Sequence, residues 1–208
     1  MALFITFEGG EGSGKSLQST LLEQQMSQEA ISATLTHEPG GTPLGDEISH
    51  WLKWQGGTEV SPLTELLLFN ASRSHLIEKV IKPALATGNV VICDRFADST
   101  TVYQGYGRGL DMAMVEAVNE AATRGLKPEL TVLLDISVAE GLSRKKCELP
   151  DRFEKEDVAF HERIRRGYLE LAAGEPGRWL VVDASQPREK IADIIWGRVS
   201  QLLPHQGA

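Results

Sequence analysis

The stretch Gly9-Gly10-Glu11-Gly12-Ser13-Gly14-Lys15-Ser16 follows an apolar run and opens a helical pattern. Its spacing, Gly, four residues, then Gly-Lys-Ser/Thr, is that of a phosphate-binding loop. Each residue type has a physical reason. Glycines let successive backbone N–H groups curl around a polyphosphate without Cβ clashes. A helix starting near Gly14 points its positive end at those phosphates. Lys15 is placed to bridge β- and γ-phosphates, and Ser16 offers a hydroxyl to Mg²⁺. Such a loop needs a strand before it and a helix after it, so the motif commits the chain to an α/β fold that binds a nucleoside triphosphate.

The remaining sequence agrees with that class. Short apolar runs alternate with longer helical patterns. Strands are predicted at Leu3–Phe7, Ile31–Thr36, Val90–Cys93, Leu130–Ile136 and Trp179–Val182. Ser16–Ala30 reads as a helix with Leu17, Leu21, Leu22 and Met26 on its apolar side. A short helix is expected from Leu44 to Trp54, then a loop at Gln55–Thr58. Ser61 caps a helix with Pro62 in its first turn, running to about Ala86 unless Pro83 ends or kinks it. Its inward residues are expected to be Leu63, Leu66, Leu67, Ala71, Ser74, Ile77, Ile81 and Leu85. Asp111 caps a helix carrying Met114, Val115, Val118 and Ala122. Val138–Lys146 and Asp157–Ala173 are helical, and Pro187 opens the last helix. Alternating strands and helices imply right-handed crossovers, hence a mostly parallel five-stranded sheet with helices on both faces. Ligands in such sheets bind beyond the carboxyl ends of the strands, where Glu8, Glu38 and Asp94 fall.

Length and composition set the outer bounds. The 208 residues suit one domain, 1–208, with a small lid. A net charge of −8 argues against non-specific nucleic-acid or membrane binding. The apolar runs are too short to span a bilayer. Ala2–Phe7 continues directly into the phosphate loop, so it reads as a strand and not a leader. Cys93 sits in an apolar run as a core residue, and Cys147 in a charged one. Two such cysteines imply neither a disulfide framework nor a zinc site, and a reducing, cytoplasmic setting is expected. Eight of the 21 Lys and Arg fall within 144–166, among six acids. Such a run is a solvated helix face in most chains. Beside a triphosphate site it also suits a basic lid, at about residues 143–156.

Four clusters lie beyond the strands or on the helix facing them: His37-Glu38-Pro39-Gly40-Gly41-Thr42; Phe69-x-x-x-Arg73-x-His75; Asp94-Arg95-Phe96; and Ser99 through Gly109. Phe69 and Arg73 are i, i+4 neighbours, so ring and guanidinium share a helix face. That pair suits stacking on a base and bonding its edge; the plainer alternative is a core residue beside a surface arginine. Asp94 stands where a Mg²⁺-organising carboxylate belongs, and Arg95 suits a second phosphate; the alternative is an ion pair in a turn. Ser99–Gly109 carries hydroxyls, an amide and aromatics suited to a small polar ligand; the alternative is a glycine-punctuated surface loop.

Together these clusters resemble the thymidylate kinase family over nearly the whole chain. The resemblance rests on Phe7-Glu8-Gly9 with the phosphate loop, Glu38-Pro39-Gly40-Gly41-Thr42, and Leu68-Phe69 with Arg73. It also rests on Asp94-Arg95-Phe96-x-x-Ser99 and on Tyr103-Gln104-Gly105-x-Gly107-Arg108-Gly109-Leu110, the most diagnostic piece. It implies transfer of the ATP γ-phosphate to dTMP, with Mg²⁺, giving dTDP and ADP for dTTP biosynthesis. It also implies that Gly9 to Ser16 hold ATP, that Phe69 stacks on thymine and that Arg73 bonds its edge. Arg95 would bind the dTMP phosphate, Ser99 and Gln104 the base, and Tyr103 would lie under the sugar. Glu38 and Pro39 would line the acceptor site, and Glu11 would reach the 3′-hydroxyl side. Ser16 and Asp94 would organise the metal. The basic lid is similar to the bacterial type, with Arg144 and Arg152 as the arginines meeting the transferring phosphate. Family members are usually homodimers packed through helices, here such as 61–86 and 111–124. Two positions depart from the pattern: His37 where arginine is frequent, and Val102 where a smaller residue is common.

The acceptor phosphate is already anionic near neutral pH, its second pKa being about 6, so this chemistry needs positioning and charge neutralisation rather than a strong base. Competing readings are a kinase for another nucleoside monophosphate, a nucleotide-dependent switch, and a hydrolysing motor. Intact Lys15, Ser16, Asp94 and Arg95 argue against the switch, and the motor leaves the Tyr103-Gln104 segment unexplained.

Overall fold

The computed structural model describes residues 2–54, 60–145 and 150–203. Five strands form one sheet in the order β2-β3-β1-β4-β5, every pairing parallel: β1 Leu3–Glu8, β2 Ala33–His37, β3 Val90–Asp94, β4 Leu130–Asp135 and β5 Trp179–Asp183. Side chains alternate across each strand, so each feeds both faces. Leu3, Ile5 and Phe7 of β1, with Val132 and Leu134 of β4, pack on one face against Leu22 and Met26 of α1 (Lys15–Gln28). Ile191 and Ile195 of α9 (Arg188–Val199) close that layer. On the other face Phe4 and Val91 meet Leu76, Ile77 and Ile81. Leu133 there meets Phe160, Ile164 and Tyr168 of α8 (Val158–Gly174). The sheet is the middle of three layers, as the alternating pattern predicts.

Strand register positions the site. Phe7 and His37 both pair with Asp94, so β1, β2 and β3 finish level. Glu8, Glu38 and Arg95 leave the sheet together.

The capped helix at Ser61 forms as expected, with the Thr64 N–H donating to Ser61 Oγ at 3.1 Å. The chain stays helical to Ala86, as α3 (Pro62–Leu76), a π-helical turn Ile77–Ile81, and α4 (Lys82–Ala86). The wide turn lies just before Pro83, where it accommodates the ring and the missing N–H without a break. The predicted inward face of α3 is wrong in its first turns. Leu63 and Leu67 are 42% and 51% exposed, whereas Glu65, Asn70, Ser72 and Arg73 are buried. Four polar residues turn inward because each has a buried partner, which hydropathy alone does not reveal. Leu17 of α1 likewise faces the cleft and not the core.

The segment after β3 is not a surface loop. It folds as α5 (Ala97–Thr100) and a second π-helical turn, Thr101–Gly107, burying Ser99, Tyr103 and Gln104. Asp111 caps α6 (Met112–Thr123), and Asp157 caps α8 through the Phe160 N–H. Between β2 and α3 lies α2 (Pro43–Trp54), and α7 spans Val138–Arg144. Cys93 is buried. The expected loop at Gln55–Thr58, together with Lys146 and Cys147, lies outside the described residues.

Candidate active site

A cleft of about 760 Å³ opens beyond the carboxyl ends of β1, β2 and β3. One wall is the phosphate loop, Gly9–Ser16. Its shape depends on close backbone packing. At Gly12, with φ +69°, an added Cβ would lie 2.0 Å from the Gly141 carbonyl oxygen; at Gly141 a Cβ would lie 2.3 Å from the Glu11 carbonyl oxygen. The loop and helix α7 therefore touch main chain to main chain. Lys15 Nζ donates to Gly9 O at 3.0 Å and Gly10 O at 2.8 Å, curled over the loop. Burial, then the Arg95 charge, lowers its pKa to about 8. A bound polyphosphate would replace those carbonyls with full negative charge and secure the ammonium.

Ser16 Oγ donates to Asp94 Oδ2 at 2.5 Å, while Asp94 Oδ1 is buried with no hydrogen-bond partner. A hydroxyl and a carboxylate with a spare oxygen at the loop–helix junction fit a hard, oxygen-seeking cation such as Mg²⁺. Among the described residues no group of three or more His, Cys, Asp or Glu could hold a metal alone. A cation here would share its ligands with substrate phosphates.

The opposite wall is a side-chain network. Glu8, fully buried at the end of β1, accepts from the Phe96 N–H at 2.8 Å, Ser99 Oγ at 2.6 Å and Tyr168 OH at 2.8 Å. Burial, with the Asp98 charge, pushes its carboxyl up to about 7. Arg95 sits at φ +69°, a left-handed conformation that is costly outside glycine. Its Nη1 donates to Ser99 and Tyr168, and its Nη2 to Glu11 at 3.0 Å and Tyr103 at 3.2 Å. Arg95 pairs with Glu11 of the phosphate loop, not with the adjacent Asp94. Burial alone would raise the Glu11 carboxyl, but Arg95, Lys15 and Lys145 together hold it well below the usual range.

Arg73 is 2% exposed, so it is no surface arginine. Its five N–H groups reach Glu38 (2.7 Å), Asn70, Asn119, the Phe96 carbonyl and Thr100. No donor is left over, so a base edge reaches Arg73 only in exchange for one of these partners. Glu38 Oε1 is buried without a partner, and burial outweighs Arg73 to raise the carboxyl to about 7. Pro39 follows through a cis peptide bond and lines the cleft. Gln104 Nε2 donates to Glu65 at 2.6 Å. Phe69 faces the cleft and packs on Phe153, ring centroids 5.8 Å apart.

The basic run divides. Arg165 and Arg166 are on the α8 surface, paired with Asp135 and Glu170, the solvated face such runs usually form. Arg144 lines the cleft but donates to Ala184 O at 2.8 Å and to Glu140 at 2.7 Å. Arg152 is turned to Glu65 at 2.5 Å, the carboxylate that also holds Gln104 and Arg108. Among the described residues of the basic run, Lys145 touches the phosphate loop, 2.8 Å from Glu11 Oε2.

Sequence reasoning missed Tyr168, Glu65, Asn119 and Lys145. Tyr168 sits at helical spacing from Phe160, His161 and Ile164 and reads as core. Lys145 was legible as one more charge in a basic run. His37 is exposed, 3.8 Å from Asp46.

The family described as Thymidylate kinase matches residues 7–195. A thymidylate kinase of Dehalococcoides mccartyi is 54% identical over 203 residues, covering 98% of each chain. That of Deinococcus radiodurans is 46% identical over 200 residues, covering 96% of this chain and 97% of its own. The crystal structure of thymidylate kinase from Ehrlichia chaffeensis superposes with a TM-score of 0.76 at 32% identity, covering 97% of this chain and 99% of its own.

Proposed function

The chain belongs to the thymidylate kinase family, transferases that phosphorylate dTMP, and we propose that it passes the ATP γ-phosphate to dTMP by positioning and charge neutralisation. The observation that carries this reading is the facing of two anion-seeking walls across one cleft: the phosphate loop with Lys15, and the buried network that presents Arg95. Gly9 to Ser16 cradle the ATP phosphates, with Lys15 on the transferring side. Ser16 and Asp94 hold Mg²⁺, which supplies positive charge to the phosphate oxygens. Arg95 takes the acceptor phosphate, exchanging Glu11 and Tyr103 for it, while Ser99 and Tyr168 keep the guanidinium aimed. That phosphate carries about two negative charges at neutral pH, so no side chain need remove a proton.

Phe69 stacks on thymine. Arg73 and Gln104 read its edge, and Glu38, Pro39, Ser99 and Tyr103 shape the pocket around it. In the lid, about residues 143–156, Arg144 and Lys145 meet the transferring group. Arg152 acts at one remove, holding the lid down on Glu65. An arginine so supplied is worth about 10³–10⁵ in rate in related phosphoryl transfers. Closure excludes water, so ATP hydrolysis without dTMP is slow.

The chain works as one domain and as a homodimer. Leu63 and Leu67 on α3 and Met114 on the adjoining α6 are exposed apolar residues on packed helices, a face suited to a second copy. No helix among the described residues is long and apolar enough to cross a membrane.

An ADP-release assay with ATP, Mg²⁺ and single acceptors tests the reading. Strong turnover with dTMP, weak with dUMP and negligible with UMP supports it. Preference for another monophosphate would keep the phosphate-loop chemistry and overturn the acceptor.

A further inference from the structure

Six lysines and arginines line the described cleft: Lys15, Lys53, Arg73, Arg95, Arg144 and Lys145. Five of them are already engaged with protein. Lys15 is on loop carbonyls, Arg73 gives all five donors to neighbours, and Arg95 is on Glu11 and three hydroxyls. Arg144 holds Ala184 O, and Lys145 bridges Glu11 and Glu154. Lys53 differs. It lies in the last turn of α2, half-buried, and among the described residues its ammonium has no hydrogen bond or ion pair. A half-buried ammonium with no protein acceptor is left to water or to the oxygens of a ligand.

We propose that Lys53 is a second cation for the acceptor phosphate, working beside Arg95. The placement supports it in two ways. Burial, then the like charge of Arg95, lowers the Lys53 pKa, with a smaller push from Lys145, while Asp151 and Glu11 oppose that. Lys53 and Arg95 line the same cleft, and a doubly charged phosphate between them would turn their repulsion into attraction for both. The backbone also ties Lys53 to the lid, since the Arg152 N–H donates to the Lys53 carbonyl at 3.2 Å. That bond satisfies one of the open carbonyls at the end of α2. It sets the lysine beside Arg152, whose side chain anchors on Glu65. The ligand class is a phosphate monoester, recognised by charge and not by its base.

This inference rests on the acceptor reading above, and binding separates the two. The intact protein is titrated calorimetrically with dTMP and with thymidine, for wild type, Lys53→Met and Lys53→Arg. For wild type, dTMP binds more tightly than thymidine. Lys53→Met weakens dTMP about tenfold, the usual worth of a charge-assisted hydrogen bond, and leaves thymidine unchanged. Lys53→Arg restores most of the loss. Unchanged dTMP affinity in Lys53→Met overturns the proposal, as does equal weakening of dTMP and thymidine, which marks a merely structural lysine. A wild-type chain that binds dTMP no better than thymidine overturns the acceptor site itself.

Discussion

The phosphate loop delivers its chemistry from one run of residues, Gly9–Ser16, mostly through main-chain groups. The acceptor wall facing it gathers Glu8 from β1, Arg73 from α3, Arg95 from the end of β3, Ser99 from α5 and Tyr168 from α8, mostly through side chains. The loop's working parts are held by the conformation of their own chain. Those of the acceptor wall are held by one another, so Glu8 and Arg95 share Ser99 and Tyr168 as common partners. A change in the loop should therefore strike activity and spare the fold. A change in the network should strike both.

The largest expected effect is on the loop side. Lys15→Met should lower turnover by about 10³-fold or more with an unchanged circular dichroism spectrum and melting temperature. Near-normal turnover in that variant would break the comparison at its root. On the other wall, Arg73→Ala leaves Glu38 buried without its partner and should cost about 3–5 kcal/mol in urea unfolding. A loss below about 1 kcal/mol would show that the network is not cooperative. Gly141→Ala probes the loop from outside. Its new Cβ meets main chain rather than a flexible side chain, so about 1–3 kcal/mol of strain is expected, with slower turnover at full ATP.

The smallest effect is a pH dependence that belongs to the network alone. Glu8 and Glu38 have native pKa values raised from 4.5 to about 7, so between those values the native state binds more protons than the unfolded chain. Stability from these two groups is therefore fully present below about pH 4.5 and falls as pH rises to about 7, by roughly 1–2 kcal/mol each. Unfolding free energies measured across that window should slope downward, and Glu38→Gln should flatten the slope. An upward slope would mean that Arg73, not burial, governs Glu38.

The same contrast governs what the sequence reveals. The loop could be read outright, because its chemistry depends on glycine, lysine and serine at fixed spacing. The parallel sheet was legible from strands alternating with helices. The acceptor wall was legible as residue types, in Arg73, Arg95, Ser99 and Gln104, but their partners were not. Arg73 is joined to Asn119, far along the chain, and no local pattern marks that asparagine. The face of α3 was misjudged for the same reason: Leu63 and Leu67 obey a helical period yet face outward, while Glu65 turns inward to hold Gln104, Arg108 and Arg152. Hydropathy ranks a buried glutamate as a surface residue unless its three partners are known. In the basic run, charge alone did not separate Lys145, which reaches Glu11, from Arg152, which does not.

The contact between Gly12 and Gly141 also bears on how such a chain can drift over generations. Gly12 is blocked by the Gly141 carbonyl and Gly141 by the carbonyl of Glu11, next to Gly12, so enlarging either one first is penalised even if a shifted pair of backbones would later tolerate both. No sequence of single favourable steps leads away from the pair. The two glycines are expected to change rarely and together, binding the history of helix α7 to that of the phosphate loop.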